Sequence, residues 1–144
     1  MEAITLQQIA PYLPYGLNFK ITNPSEDRFG EIVILKGIYF TQTDRLTCQT
    51  DKGTFYAWEL TPLLRNISSI TKPIIHNGVE IDLLYYLEEK YFTYPISDWV
   101  KQLLEEPNWM SNMPYLLVEE LIKHHFNVFG IPDHLFIDKS TVKI

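Results

Sequence analysis

The period of the hydrophobic pattern changes once along this chain, and that change limits the fold more than any motif does. From Leu17 to Ile81 apolar and polar residues alternate in short runs, the repeat of half-buried strands. From Asp82 onward apolar residues recur three and four apart, the repeat of amphipathic helices. A chain of 144 residues with a single such change reads as one domain of α+β class, 1–81 mainly strand and 82–144 mainly helix. Its hydrophobic fraction of 46% supplies enough material for a packed core and argues against disorder.

The first half predicts a short helix capped by Thr5 and stopped by Pro11, then a strand over LNFKIT (17–22). After the turn-rich NPSEDRFG come EIVILKGIYF (31–40), LTCQT (46–50) and TFYAWEL (54–60), the last two joined through Asp51-Lys52-Gly53 as a tight hairpin. Four sequential strands predict an antiparallel meander, curled into a small SH3-like half-barrel. IIHNGVEI (74–81) adds a β-hairpin, because Asn77-Gly78 tolerates the positive φ of a type I′ turn.

The second half predicts a cluster of three helices. DLLYYLEEKY (82–91) opens on Asp82 and turns Leu84, Leu87 and Tyr91 to one side; SDWVKQLLEE (97–106) opens on Ser97, buries Trp99, Val100, Leu103 and Leu104, and stops at Pro107. A third runs from about Pro114 to about Phe126. The join FTYPI is too short and apolar to be a linker. Trp58, Trp99, Leu103, Leu121 and Phe126 are the expected core.

Charge is split as unevenly as the pattern. Residues 1–79 hold seven acids and seven bases, and residues 80–144 hold eleven acids and five bases, so the whole net charge of −6 falls in the second half. Such a surface repels nucleic acid and suits a basic partner protein. Cys48, the single cysteine, cannot form an intramolecular disulfide and sits at a strand position, which points to a reducing, cytoplasmic setting. MEAITLQQIAPYLPYG has no basic leader or continuous apolar run, so no signal peptide is expected, and no apolar run reaches membrane-spanning length.

The stretch LVEELIKHHFNVFG (117–130) is the best candidate for chemistry. On a helix Val118, Leu121, Ile122 and His125 form one stripe, which makes His125 a structural histidine and predicts that His125→Leu is tolerated. Glu120 and His124 share a flank. With a third ligand from Asp133 or His134 they would be the start of a metal-dependent enzyme site, but a zinc enzyme needs three convergent ligands, usually in an H-E-x-x-H arrangement that is absent. No metal and no cofactor is therefore expected. Glycine-rich phosphate loops, G-x-S-x-G elbows and C-x-x-C pairs are missing, so no catalytic residue is assigned. An alternative use lies in the β half: Phe19, Tyr39, Phe40, Phe55, Tyr56 and Trp58, interleaved with Lys20, Lys36 and Lys52, would stack nucleobases, although alternate ones must face the core.

APYLPYGL (10–17), WELTPLLRNISSITKPIIHNG (58–78) and HHFNVFGIP (124–132) resemble small proteins of unknown function encoded in Bacteroidetes genomes and their prophages. Asn66 and Pro73 depart from that pattern, which usually has proline and glutamate there. Structural roles suggest themselves: Pro62 turns the chain, Arg65 is long enough to tie a loop carbonyl, and Gly130 serves as a left-handed helix stop. The resemblance implies a phage-type setting, in which small acidic domains without active sites act as inhibitors of host enzymes, anti-CRISPR inhibitors of RNA-guided nucleases included. The expectation is a non-catalytic protein that binds a basic, nucleic-acid-binding host protein through an acidic helical surface, with Glu88, Glu89, Glu105, Glu106, Trp109, Glu119 and Glu120 as contact residues.

Overall fold

The computed structural model describes residues 4–106 and 108–142. Helix α1 (Leu6–Ile9) opens on Thr5, whose side chain accepts from the Gln8 amide at 3.3 Å while Gln8 Oε1 accepts from the Thr5 amide at 2.9 Å. The chain leaves the following 3-10 turn through Gly16, in the left-handed region at φ 61°.

Strands β1 (Asn18–Ile21), β2 (Ile32–Phe40), β3 (Leu46–Thr50) and β4 (Gly53–Tyr56) form the expected antiparallel meander. TFYAWEL, read as one strand, is two. A 3-10 turn at Ala57–Glu59 breaks the alternation after Tyr56, held by Glu59 Oε2 accepting from the Tyr56 amide at 2.9 Å. Strand β5 (Leu60–Leu64) then pairs antiparallel with β1 on the side away from β2. The turn points Ala57 and Glu59 inward and Trp58 outward, so Trp58 is 59% exposed and does not belong to the core. The short link also bends the sheet. From β4 to β5 a flat sheet would span four inter-strand spacings, about 19 Å. The four Cα steps from Tyr56 to Leu60 reach at most about 15 Å, so the sheet curls.

Strands β6 (Ile74–His76) and β7 (Val79–Ile81) make a separate hairpin, with Asn77 and Gly78 both at positive φ as the turn requires. Helices α2 (Leu83–Lys90), α3 (Ile96–Glu105) and α4 (Tyr115–Lys123) follow, and strand β8 (Ile137–Asp138) returns to pair parallel with β5. The result is an α+β fold with a six-stranded mixed sheet ordered β4-β3-β2-β1-β5-β8. Asp82 caps α2 as expected, accepting from the Tyr85 amide at 3.2 Å. Helix α3 starts after Pro95, one residue before Ser97, and Leu104 is 45% exposed where burial was expected. Pro107, its expected stop, lies outside the described residues. Among the described residues no helix is long and apolar enough to cross a membrane.

Helix α4 ends three residues early, and the reason defines the centre of the molecule. His125 takes φ 62°, which breaks the helix, so it cannot extend the Val118–Leu121–Ile122 stripe. The stop is therefore His125, and Gly130, also left-handed at φ 64°, serves a later turn. The freed backbone pairs with Arg65: the Arg65 amide donates to the His125 carbonyl and the Asn127 amide donates to the Arg65 carbonyl, both at 2.8 Å. The Arg65 guanidinium is buried and donates to the His124 carbonyl, to the Ile75 carbonyl at 2.6 Å and to His76 Nδ1 at 3.2 Å. It thus ties β5, the β6–β7 hairpin and the end of α4 together. Tyr12 adds a second tie, donating to the Phe126 carbonyl and accepting from the Val128 amide at 3.2 Å. Leu103, Leu121 and Phe126 are buried as expected, and Trp99 packs half-buried against the core.

His125 is buried with both ring nitrogens engaged. Its Nε2 lies 2.7 Å from the Tyr15 carbonyl and must donate, which leaves Nδ1 to accept from Lys139 Nζ at 2.6 Å. The expectation that leucine is tolerated there is reversed. In urea unfolding, His125→Leu is expected to cost at least about 2 kcal/mol, because a carbonyl and an amine lose their partner. Trp58→Ala is expected to cost less than about 0.5 kcal/mol, and an unchanged midpoint for His125→Leu would contradict this placement.

Candidate protein-interaction surface

Helices α2 and α3 expose one side each. On α2 the exposed residues are Tyr85, Glu88, Glu89 and Lys90; on α3 they are Ser97, Asp98, Lys101, Leu104 and Glu105. Glu106 continues this side beyond the helix. From Asp82 to Tyr115 there are six acids (Asp82, Glu88, Glu89, Asp98, Glu105, Glu106) against two bases (Lys90, Lys101). Phe92, 82% exposed, stands beside Glu88 and Asp98. Of the contact residues expected from sequence, Glu88, Glu89, Glu105 and Glu106 therefore lie on the surface. Trp109 is half-buried against the core, and Glu119 is half-buried between the Tyr15 hydroxyl at 3.4 Å and Lys123 at 3.8 Å.

Glu120 is not a surface residue. Its side chain is 1% exposed, and Oε1 accepts from Lys90 Nζ at 2.8 Å and from the Tyr91 hydroxyl at 2.9 Å. Burial pushes its carboxyl up, but Lys90, Tyr91 and Lys123 outweigh that and hold it below the usual range. The amphipathic pattern misplaced it because a helix flank reads as solvent until another helix end packs there. Its real effect is to clamp the end of α2 to α4, which fixes where the chain turns into Phe92, Thr93 and Tyr94. Nothing in the period of the sequence marks these three as exposed.

In the Glu120–His124 pair Glu120 Oε1 and His124 Nδ1 are hydrogen-bonded to other groups, while the buried Glu120 Oε2 has no hydrogen-bond partner among the described residues. His124 Nδ1 donates to the Glu120 carbonyl oxygen at 2.7 Å and lies 3.9 Å from Oε2. Asp133 and His134 sit exposed on a separate 3-10 turn. Three histidine rings do gather, His76 being 5.1 Å from His124 and 4.9 Å from His125 between centroids, but His76 accepts from Arg65 and His125 from Lys139. Among the described residues no three His, Cys, Asp or Glu side chains are arranged to hold a metal ion.

No family model, curated protein or solved structure matches the chain. The candidate surface therefore rests on geometry alone.

The aromatics of the β half divide: Phe19 and Phe55 are buried, while Tyr39 and Phe40, both at the end of β2, and Trp58, in the 3-10 turn, are exposed. Tyr56 and Trp58 stack at 6.5 Å with planes 13° apart, and the Arg45 guanidinium sits 5.5 Å from the Tyr56 ring. Lys52 is paired with Glu31 at 3.4 Å. Cys48 is fully buried, and its thiol is pushed up to about 11 by burial, so it is not a nucleophile.

The buried cluster behind these surfaces makes stability depend on pH. Lys139 is 6% exposed, bonded to Asn18 Oδ1 at 2.8 Å and to His125, and burial followed by the Arg65 charge lowers it from 10.5 to about 7. Burial, with Lys139 next, brings His76 down to about 3 and His125 to about 2. Below pH 6.5 the unfolded chain takes up protons on these histidines that the folded chain refuses, so stability falls with acid. Between pH 7 and 10.5 the unfolded chain keeps the Lys139 proton that the folded chain has lost, so stability rises with pH. The expected slope is at most about 1.4 kcal/mol per pH unit for each group. Denaturation at about pH 5, 7 and 9 should show stability increasing throughout, with Lys139→Met abolishing only the upper rise; a flat profile from pH 7 to about 9 in the parent chain would contradict the neutral lysine.

Proposed function

We propose that this chain is a non-catalytic binding protein that docks on a basic, nucleic-acid-binding partner through the α2–α3 surface. The observation that carries the reading is Phe92, 82% exposed beside Glu88 and Asp98 on a clamped turn. A large apolar ring held out in water next to like charges is costly for a free monomer and useful at an interface. Aromatic anchors ringed by one sign of charge supply, respectively, contact energy and steering toward an oppositely charged partner. Two concavities, one at the α2–α3 turn and one beside Tyr39 and Tyr56, measure about 240 Å³ each, below the usual 300–1,000 Å³ of small-molecule sites, which favours binding over metabolite chemistry.

The partner proposed is a host defence enzyme such as an RNA-guided nuclease, in the cytoplasm of the host, a reading supported by the likeness of APYLPYGL (10–17) and HHFNVFGIP (124–132) to segments of prophage-encoded proteins. The curled β1–β5 unit, an SH3-like half-barrel in this reading, is the scaffold. A second use is favoured by one observation: the stacked Tyr56–Trp58 pair under Arg45 is a surface on which an unpaired base stacks.

The test is capture of partners from a host lysate carrying a candidate nuclease, at low and raised salt. A basic partner should be retained at low salt and released at high salt. Charge reversal by Glu88→Lys with Glu89→Lys, or Glu105→Lys with Glu106→Lys, should weaken it about tenfold or more. Retention that ignores both salt and these reversals would contradict the proposal.

A further inference from the structure

The turn between α2 and α3 forms a pocket lined by Glu88, Phe92, Tyr94, Ser97 and Asp98, among others. We infer that it receives an arginine side chain of the partner. The inference rests on the proposed docking surface and specifies its chemistry.

Each wall has a part to play. Tyr94 is held in place by Trp99, 5.4 Å away between centroids, and by Tyr91 at 6.4 Å. Glu88 is oriented by the Ser97 hydroxyl, which donates to Oε1 at 2.8 Å and leaves Oε2 for a ligand. Asp98, exposed in the first turn of α3, carries no ion pair among the described residues. Two carboxylates beside two aromatic rings match a planar guanidinium, which can fork-bond a carboxylate while its plane stacks on a ring; a lysine ammonium can sit over a ring and pair with a carboxylate, but only as a point charge without the fork. At about 240 Å³ the pocket suits one side chain. The same combination already works a turn away. Lys90 Nζ pairs with Glu120 at 2.8 Å while lying 5.5 Å from the Tyr86 ring and 5.3 Å from the Tyr91 ring.

The experiment titrates the isotope-labelled protein with two short peptides that differ only in carrying arginine or lysine, read by amide shifts. The arginine peptide should move Phe92, Tyr94, Ser97 and Asp98 and bind at least about fivefold more tightly than the lysine peptide. Phe92→Ala and Asp98→Asn should each weaken it by about fivefold, and Glu105→Gln by less than about twofold. Because all three side chains are exposed, folding should be kept, which the amide spectrum of each variant verifies. Equal affinity for the two peptides, no binding of either, or shifts centred on Glu105 and Glu106 would overturn the pocket. A lysate partner that elutes with salt yet ignores Phe92→Ala would also overturn it while leaving the acidic docking surface standing.

Discussion

Everything in this molecule meets at the Arg65 guanidinium. A buried cation is expensive unless its donors are matched, and here the main-chain carbonyls of His124 and Ile75 and the ring nitrogen of His76 match them. Burial lowers Arg65 only to about 10, so it stays charged at neutral pH. Burial first, and then the neighbouring cations, set the protonation around it: burial with Lys139 and then Arg65 keeps His76 and His125 neutral, and burial followed by Arg65 draws Lys139 down toward neutrality.

The consequence is a domain whose two halves are tied by polar bonds as much as by apolar burial. The acidic helical half could drift over the sheet if Leu103, Leu117 and Leu121 alone held it, since apolar contact is non-directional. The Arg65 and Tyr12 bonds to residues 124–128 give the contact a register. Glu120 extends that order outward to Lys90 and Tyr91, and so to the turn that displays Phe92 and Tyr94. The proposed docking surface thus sits at the end of a chain of contacts leading back to the core.

Local rules were legible in the sequence where they act locally. Asp82 and Thr5 cap helices, Asn77-Gly78 turns a hairpin, and Arg65 ties loop carbonyls, each for the reason its chemistry suggests. Tertiary decisions were not. Strand β8 has two residues and therefore no period, and Lys139 looks like a solvated tail residue until its place beside Asn18 is known. TFYAWEL alternates well enough for one strand, but the Tyr56–Glu59 cap inserts a turn and sends Trp58 outward. His125 fits a helical stripe on paper, and a left-handed backbone removes it from the helix. Of the candidate site, the exposed carboxylates on α2 and α3 could be read directly. Glu120 could not, because its burial depends on Lys90, thirty positions away along the chain.

If the Arg65 junction makes sheet and helical half one cooperative unit, native-state hydrogen exchange shows it most directly. The Arg65 and Asn127 amides, bonded across the junction at 2.8 Å, should open with the same free energy as the Leu35 amide, bonded to Leu17 in the sheet at 2.9 Å. Opening of the junction amides at a free energy lower by more than about 2 kcal/mol would mean that the end of α4 frays from a sheet that folds without it, and would contradict the account.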